Sequence, residues 1–179
     1  MAYPYYANSQ YYMQNMQDLQ NMREKIEFYL IGILIPLAVG ALSALLTRGS
    51  MDIYRTITKP DLAPPAIVFP IVWTILYILM GIGSAIVYNN DMASAEEKKM
   101  ALRVYGLQLV FNFFWSIIFF NMRAFLLASV WIVILWVLIL VMILRFAKIN
   151  PIAGLLQIPY LLWVTFASYL TFMIYMLNG

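Results

Sequence analysis

The chain has 179 residues, 64% of them hydrophobic and only 11% charged, with a formal net charge of +3 and a mean hydropathy of +0.82. Soluble domains carry roughly 25% charged residues, which excludes a water-soluble core and makes this an integral membrane protein. Cysteine and histidine are absent, which removes disulfides, thiol and imidazole chemistry and the common ligands of zinc and haem iron, while the Lys and Arg sit in short loops with no basic stripe suited to nucleic acid.

Residues 1–26 are rich in Tyr, Gln, Asn and Met, and their first charge is Asp18. They show neither the early positive charge nor the apolar core of a secretory signal. Their polar composition predicts a disordered tail. Met13, Met16, Leu19 and Met22 recur every three residues, which leaves a short interfacial helix open.

A helix crossing the hydrocarbon needs about 20 largely apolar residues. Uncharged runs at 28–47, 62–90, 104–122, 124–144 and 149–179 predict an all-α bundle of five transmembrane helices, one domain over 27–179. The runs lack the in–out alternation of a lipid-facing barrel strand. Pro64 and Pro65 exclude regular helix in the first part of the second run, and Pro70 suits a first helical turn. The spans are therefore expected at about 28–47, 70–89, 104–122, 124–144 and 152–177, with a stiff extended loop over 59–69. Only Arg123 separates the third and fourth runs, so they must form a tight hairpin. Pro159 is expected to kink the last helix. No internal repeat is visible.

Counting cations sets orientation. Arg23, Lys25, Lys98, Lys99, Arg103, Arg145 and Lys148 share one side; Arg48, Arg55, Lys59 and Arg123 share the other. The N-terminus is accordingly expected inside and the proline loop outside.

No charge lies within a span, so nothing supports a proton relay or gating charge. What remains is aromatic and polar. Tyr105, Gln108, Asn112, Trp115 and Phe119 fall on one helical face; so do Tyr160, Trp163, Ala167 and Thr171; so do Trp73, Tyr77, Met80 and Gly81. Taken singly, each face is explained by helix packing, as are the small residues Gly32, Gly40, Ala44, Gly81 and Ala85. The convergence of three such faces beside a rigid loop points instead to a pocket for a large, flat, apolar molecule.

These residues carry a resemblance. From about 26 to 177 the chain resembles the translocator protein family, the tryptophan-rich sensory proteins of bacteria and the mitochondrial peripheral benzodiazepine receptor. The likeness rests on Tyr54, Lys59-Pro60, Pro64-Pro65, Trp73-x3-Tyr77-x2-Met80-Gly81, Tyr105-x2-Gln108-x3-Asn112-x2-Trp115, Phe119-Phe120 and Pro159-Tyr160-x2-Trp163-x2-Phe166-Ala167. It implies a five-helix bundle, usually a homodimer, in a bacterial cell membrane. The implied pocket lies under the first loop and takes porphyrins such as protoporphyrin IX, sterols or isoquinoline carboxamides. Carried onto this chain, its lining would be Tyr54, Pro64, Phe69, Trp73, Tyr77, Asn112, Trp115, Phe119, Trp163 and Ala167. Trp73, Tyr77, Phe119 and Trp163 would stack on or flank a flat ring, Asn112 would orient a polar group, Ala167 would leave room, and Tyr54 and the prolines would form a lid.

On that resemblance the protein is a sensor or carrier of tetrapyrroles, with porphyrin as ligand and no cofactor or metal required. The alternative is an enzyme that degrades porphyrin in light. That activity is linked in the family to loop tryptophans, and here Ile53, Leu62 and Ile67 stand where relatives often have Trp. Thr171 replaces an Asn, and no charge follows Lys148, so the cholesterol-recognition pattern is missing.

Overall fold

A computed structural model describes residues 4–50 and 52–178; residues 1–3 of the expected tail lie outside them. Among the described residues the chain is helical without strands, and five helices are long and apolar enough to cross a membrane. This is the all-α bundle expected from the uncharged runs.

Helix α1 spans Pro4–Thr47, 44 residues, or about 66 Å at 1.5 Å per residue, roughly twice the hydrocarbon thickness. It thus takes in most of the segment expected to be disordered. Between Pro4 and Pro36 that segment holds no proline, and its Gln, Met, Leu, Arg, Lys and Glu are good helix formers. Residues 10–27 are all exposed. A single turn of 3₁₀ helix, Arg48–Ser50, leads into the short α2, Ile53–Thr56.

The proline loop follows, and α3 runs Val68–Tyr88. It begins just ahead of Pro70, whose missing N–H falls among the first four that have no helical partner. Helix α4, Ala95–Ser116, starts well before its apolar run because Ser94 and Glu97 form a reciprocal capping box at its N-terminus. It continues as a π-helical segment, Ile117–Asn121. Arg123, at φ 54°, makes the expected tight reversal, and α5 runs Phe125–Ile149.

The last span differs from expectation. It is two helices, α6 at Pro151–Leu155 and α7 at Ile158–Asn178, rather than one helix kinked at Pro159. Gln157 stands at the break and donates from Nε2 to the carbonyls of Leu79 and Ala153, both at 3.3 Å. Pro159 then lies in the first turn of α7, where its missing donor costs nothing.

In the bundle α3 lies along α1 and meets α4 and α6, while α5 packs on α4 and against α6 and α7. The α1–α3 contact is close. A Cβ on Gly32 would come 2.9 Å from the Gly81 carbonyl, and one on Gly81 would come 2.6 Å from the Gly32 carbonyl and strike the backbone of Ile33. Only glycine at both positions lets the backbones approach so far. Pro36 removes the N–H that would otherwise bond the Gly32 carbonyl.

Candidate functional site

The first loop is held down at several points. Tyr54 donates its phenol to the carbonyl of Pro64 at 3.1 Å, and Lys59 Nζ sits 4.9 Å from the centre of the Tyr54 ring. Burial pushes the Tyr54 phenol above its ordinary pKa, so it remains a donor at neutral pH. A turn closes between Pro60 and Ala63, and another feeds Val68 from Pro65. At the start of the loop Asn178 pairs its side-chain amide with Thr58.

Beneath this loop lies a cavity of about 630 Å³, within the roughly 300–1,000 Å³ of small-molecule sites. Helix α1 supplies a floor of small side chains, Gly40, Ala41, Ser43 and Ala44, with Leu37 and Thr47 at its ends. Helix α2 supplies Tyr54 and α3 supplies Phe69, Trp73 and Tyr77; the end of α4 supplies Trp115 and Ser116, and the π-helical segment supplies Phe120. Asp52 lies at the rim and is the one charged residue in the lining. Trp73 stacks on Tyr77 with ring centres 5.4 Å apart, so the α3 wall is a near-continuous aromatic surface. The Tyr77 ring lies directly over Gly40, where any Cβ would overlap it.

Behind that wall runs a buried hydrogen-bond chain. Tyr77 donates to Asn112 Oδ1 at 2.9 Å, Asn112 Nδ2 donates to Tyr160 at 3.1 Å, and Tyr160 donates to Gln108 Oε1 at 2.8 Å. Gln108 Nε2 reaches the Met80 sulfur at 3.8 Å. Gln108, Tyr160 and Met80 are fully buried and Asn112 is 2% exposed. The chain links α3, α4 and α7, and it answers the need of two mid-membrane amides for partners.

The residues expected to form the pocket are thus distributed. Tyr54, Phe69, Trp73, Tyr77 and Trp115 line the cavity together. Pro64 holds the lid through its carbonyl. Asn112 sits behind Tyr77 with both ends of its amide engaged. Phe119 is buried behind Trp115, ring centres 5.3 Å apart. Trp163 lies beyond Phe69, at 5.9 Å between rings, in an outward groove between α3 and α7, and Ala167 is buried in α7. The contribution of α1 was missed. Its signal is a run of small residues, Gly40, Ala41, Ser43 and Ala44, which also fits plain helix packing.

The tryptophans divide by role. Trp131 Nε1 donates to the Phe111 carbonyl and Trp136 Nε1 to Thr165 Oγ1, each at 2.8 Å, tying α5 to α4 and to α7. Trp73 and Trp115 face the cavity. A buried sulfur and engaged phenols leave the cavity with stacking surfaces, hydroxyls and the carboxylate of Asp52. Among the described residues no cluster of acidic side chains suited to a metal ion occurs.

Residues 32–177 match the TspO/MBR family. The chain is 43% identical over 125 residues to the tryptophan-rich protein TspO of Chlorobaculum tepidum, covering 70% of this chain and 78% of that one. It is 36% identical to a tryptophan-rich protein TspO of Archaeoglobus fulgidus over 82% of this chain and 94% of the relative. The translocator protein of Bos taurus is 30% identical over 78% and 83% of the two chains.

Proposed function

The chain belongs to the TspO/MBR family, and from that premise we propose that it binds protoporphyrin IX and similar flat hydrophobic ligands beneath the first loop, as a tetrapyrrole sensor or carrier in a bacterial cell membrane. The observation that carries this reading is the cavity itself. Its α3 wall is the stacked pair Trp73 and Tyr77, Trp115 and Phe120 add further aromatic surface, and the small side chains of α1 leave the space open. A planar ring laid against these aromatic side chains would bury apolar surface, and an aromatic contact adds about 0.5–1.5 kcal/mol beyond area burial.

Axial coordination has no support in the site. The chain has no His or Cys, Met80 is fully buried and engaged by Gln108, and the phenols of Tyr54 and Tyr77 are committed as donors to Pro64 and Asn112. Binding therefore rests on stacking and desolvation, which hardly distinguish free-base from metallated rings. A Soret titration of the purified protein in detergent tests this. Free-base protoporphyrin IX should bind saturably and at least as tightly as haem. Much tighter haem binding with the spectrum of a ligated iron would overturn the reading.

A further inference from the structure

The N-terminal half of α1 has no role in the cavity and lies ahead of the family match, which begins at residue 32. It continues the first span without a break, so it leaves the membrane along the helix axis and cannot lie flat in the interface as a surface helix would. Its apolar residues are nonetheless exposed: Tyr12 62%, Leu19 56%, Met22 54% and Ile26 54%. Among the described residues, its base is tied to the rest of the chain by Lys25, 3.7 Å from Asp91 in the loop between α3 and α4.

The spacing has a definite period. Tyr12, Leu19 and Ile26 are seven apart, and Asn15, Met22 and Tyr29 form a second series offset by three. That is the a/d seam of a heptad repeat, whose 3.5-residue period suits a left-handed coiled coil. In this register Asp18 takes a g position and Arg23 the e position five residues on, the offset at which g meets e′ across a parallel pair. Asp18 makes no ion pair with a described residue, and Arg23 meets only its own helix's Glu27, with its side chain 82% exposed. One heptad earlier the same offset joins Tyr11 to Met16, both exposed apolar residues. Asn15 places a polar group within the seam, at a d position.

We infer that this projecting segment is a parallel two-stranded coiled coil between two copies of this chain, paired through the Tyr12–Ile26 seam with reciprocal Asp18–Arg23 bridges. Orientation in the membrane favours it: two copies inserted the same way present these helices side by side and parallel. Confinement to the bilayer also raises their effective concentration, which helps a seam this short to pair. The inference does not rest on the ligand reading.

Because the natural chain has no cysteine, single-cysteine variants of the full-length protein in proteoliposomes give a clean test. On mild oxidation Leu19→Cys should form a disulfide-linked dimer roughly tenfold faster than Gln17→Cys, which points away from the seam. Asp18→Arg or Arg23→Asp in the Leu19→Cys background should slow cross-linking, and the two together should restore it. Equal rates at positions 17 and 19, or no rescue by the double charge reversal, would overturn the inference. So would protection of the introduced thiol in Leu19→Cys by lipid, which would assign the stripe to the membrane surface, or by a different protein in native membranes.

Discussion

The side-chain amide of Asn178, at the end of α7, pairs with both the N–H and the carbonyl of Thr58, each at 2.9 Å. Two elements 120 residues apart in sequence are thereby joined as if by one rung of a sheet, and the first loop is anchored at its start, while Tyr54 holds its later part through Pro64. Each bond is worth about 0.5–1.5 kcal/mol net. Asn178→Ala should therefore speed amide exchange over 57–66 by roughly tenfold, with little change in the melting temperature of the bundle. Ligand release should quicken with it. Unchanged exchange in the loop would mean that Tyr54 and the prolines hold it alone.

Asn112→Ala removes the centre of the buried chain and leaves the Tyr77 phenol without its acceptor, while Tyr160 keeps its bond to Gln108. A buried polar group left unsatisfied costs about 1–3 kcal/mol, so a clear fall in thermal stability is expected. Replacing Tyr77 by Phe as well should recover part of the loss, since one orphaned hydroxyl is removed. Thermal melts of the single and double variants check this. Identical losses in the two would argue that the phenol of Tyr77 does not depend on Asn112.

Gly81→Ala places a methyl group against the Ile33 backbone and 2.6 Å from the Gly32 carbonyl. Backbone cannot rotate out of the way as a side chain can, so α1 must shift, at about 1–3 kcal/mol. Gly49→Ala, where a methyl meets open space, is the control. A melting curve unchanged in Gly81→Ala would show that the α1–α3 crossing is looser than described.

Ala44 and Ala167 separate two placements of the ligand. Ala44 lines the cavity, whereas Ala167 is buried in α7, its carbonyl accepting from Thr171 at 2.7 Å. Ala44→Phe should abolish saturable quenching of tryptophan fluorescence by protoporphyrin IX. Ala167→Phe should lower stability and leave affinity largely intact, while Trp73→Leu should weaken binding by about 0.5–1.5 kcal/mol beyond area effects. Lost affinity in Ala167→Phe with none in Ala44→Phe would move the ligand to the space between α3, α4 and α7.

Charge-free runs made the five crossings legible, because the hydrocarbon excludes charge over a fixed thickness. The helical ends were less so. Ser94 and Glu97 spell a capping box in the sequence, yet the start of α4 falls among Glu96, Lys98 and Lys99, where hydropathy gives no sign of helix. Gln157 breaks the last span by reaching the Leu79 carbonyl, a tertiary contact that no local pattern encodes. The aromatic faces were visible as 3.6-residue periods. Which of them border empty space depends on how the helices lie together, and so Trp73 and Trp115 reach the cavity while Phe119 and Ala167 do not. The small face of α1 stayed hidden because small side chains serve both close packing and open space.

The glycine contact between α1 and α3 gives the molecule a fulcrum. From Gly32 to Thr47 the helix is a rigid arm of about 22 Å, so a swing of roughly 5° about that contact carries its tip by about 2 Å. All the cavity residues of α1 lie on this arm, and those of α3 lie on the corresponding side of Gly81. At the tip, Asn121 Nδ2 holds the Leu46 carbonyl at 3.1 Å, and midway along the arm the Tyr77 ring rests on Gly40. A change in that angle would alter the width of the cavity without unpacking Met80, Ile139 or Tyr160 at the centre. Spin labels at 45 and 75 should report a wider arm when Asn121→Ala removes the bond to Leu46, and the same distance in both proteins would show that the arm does not swing.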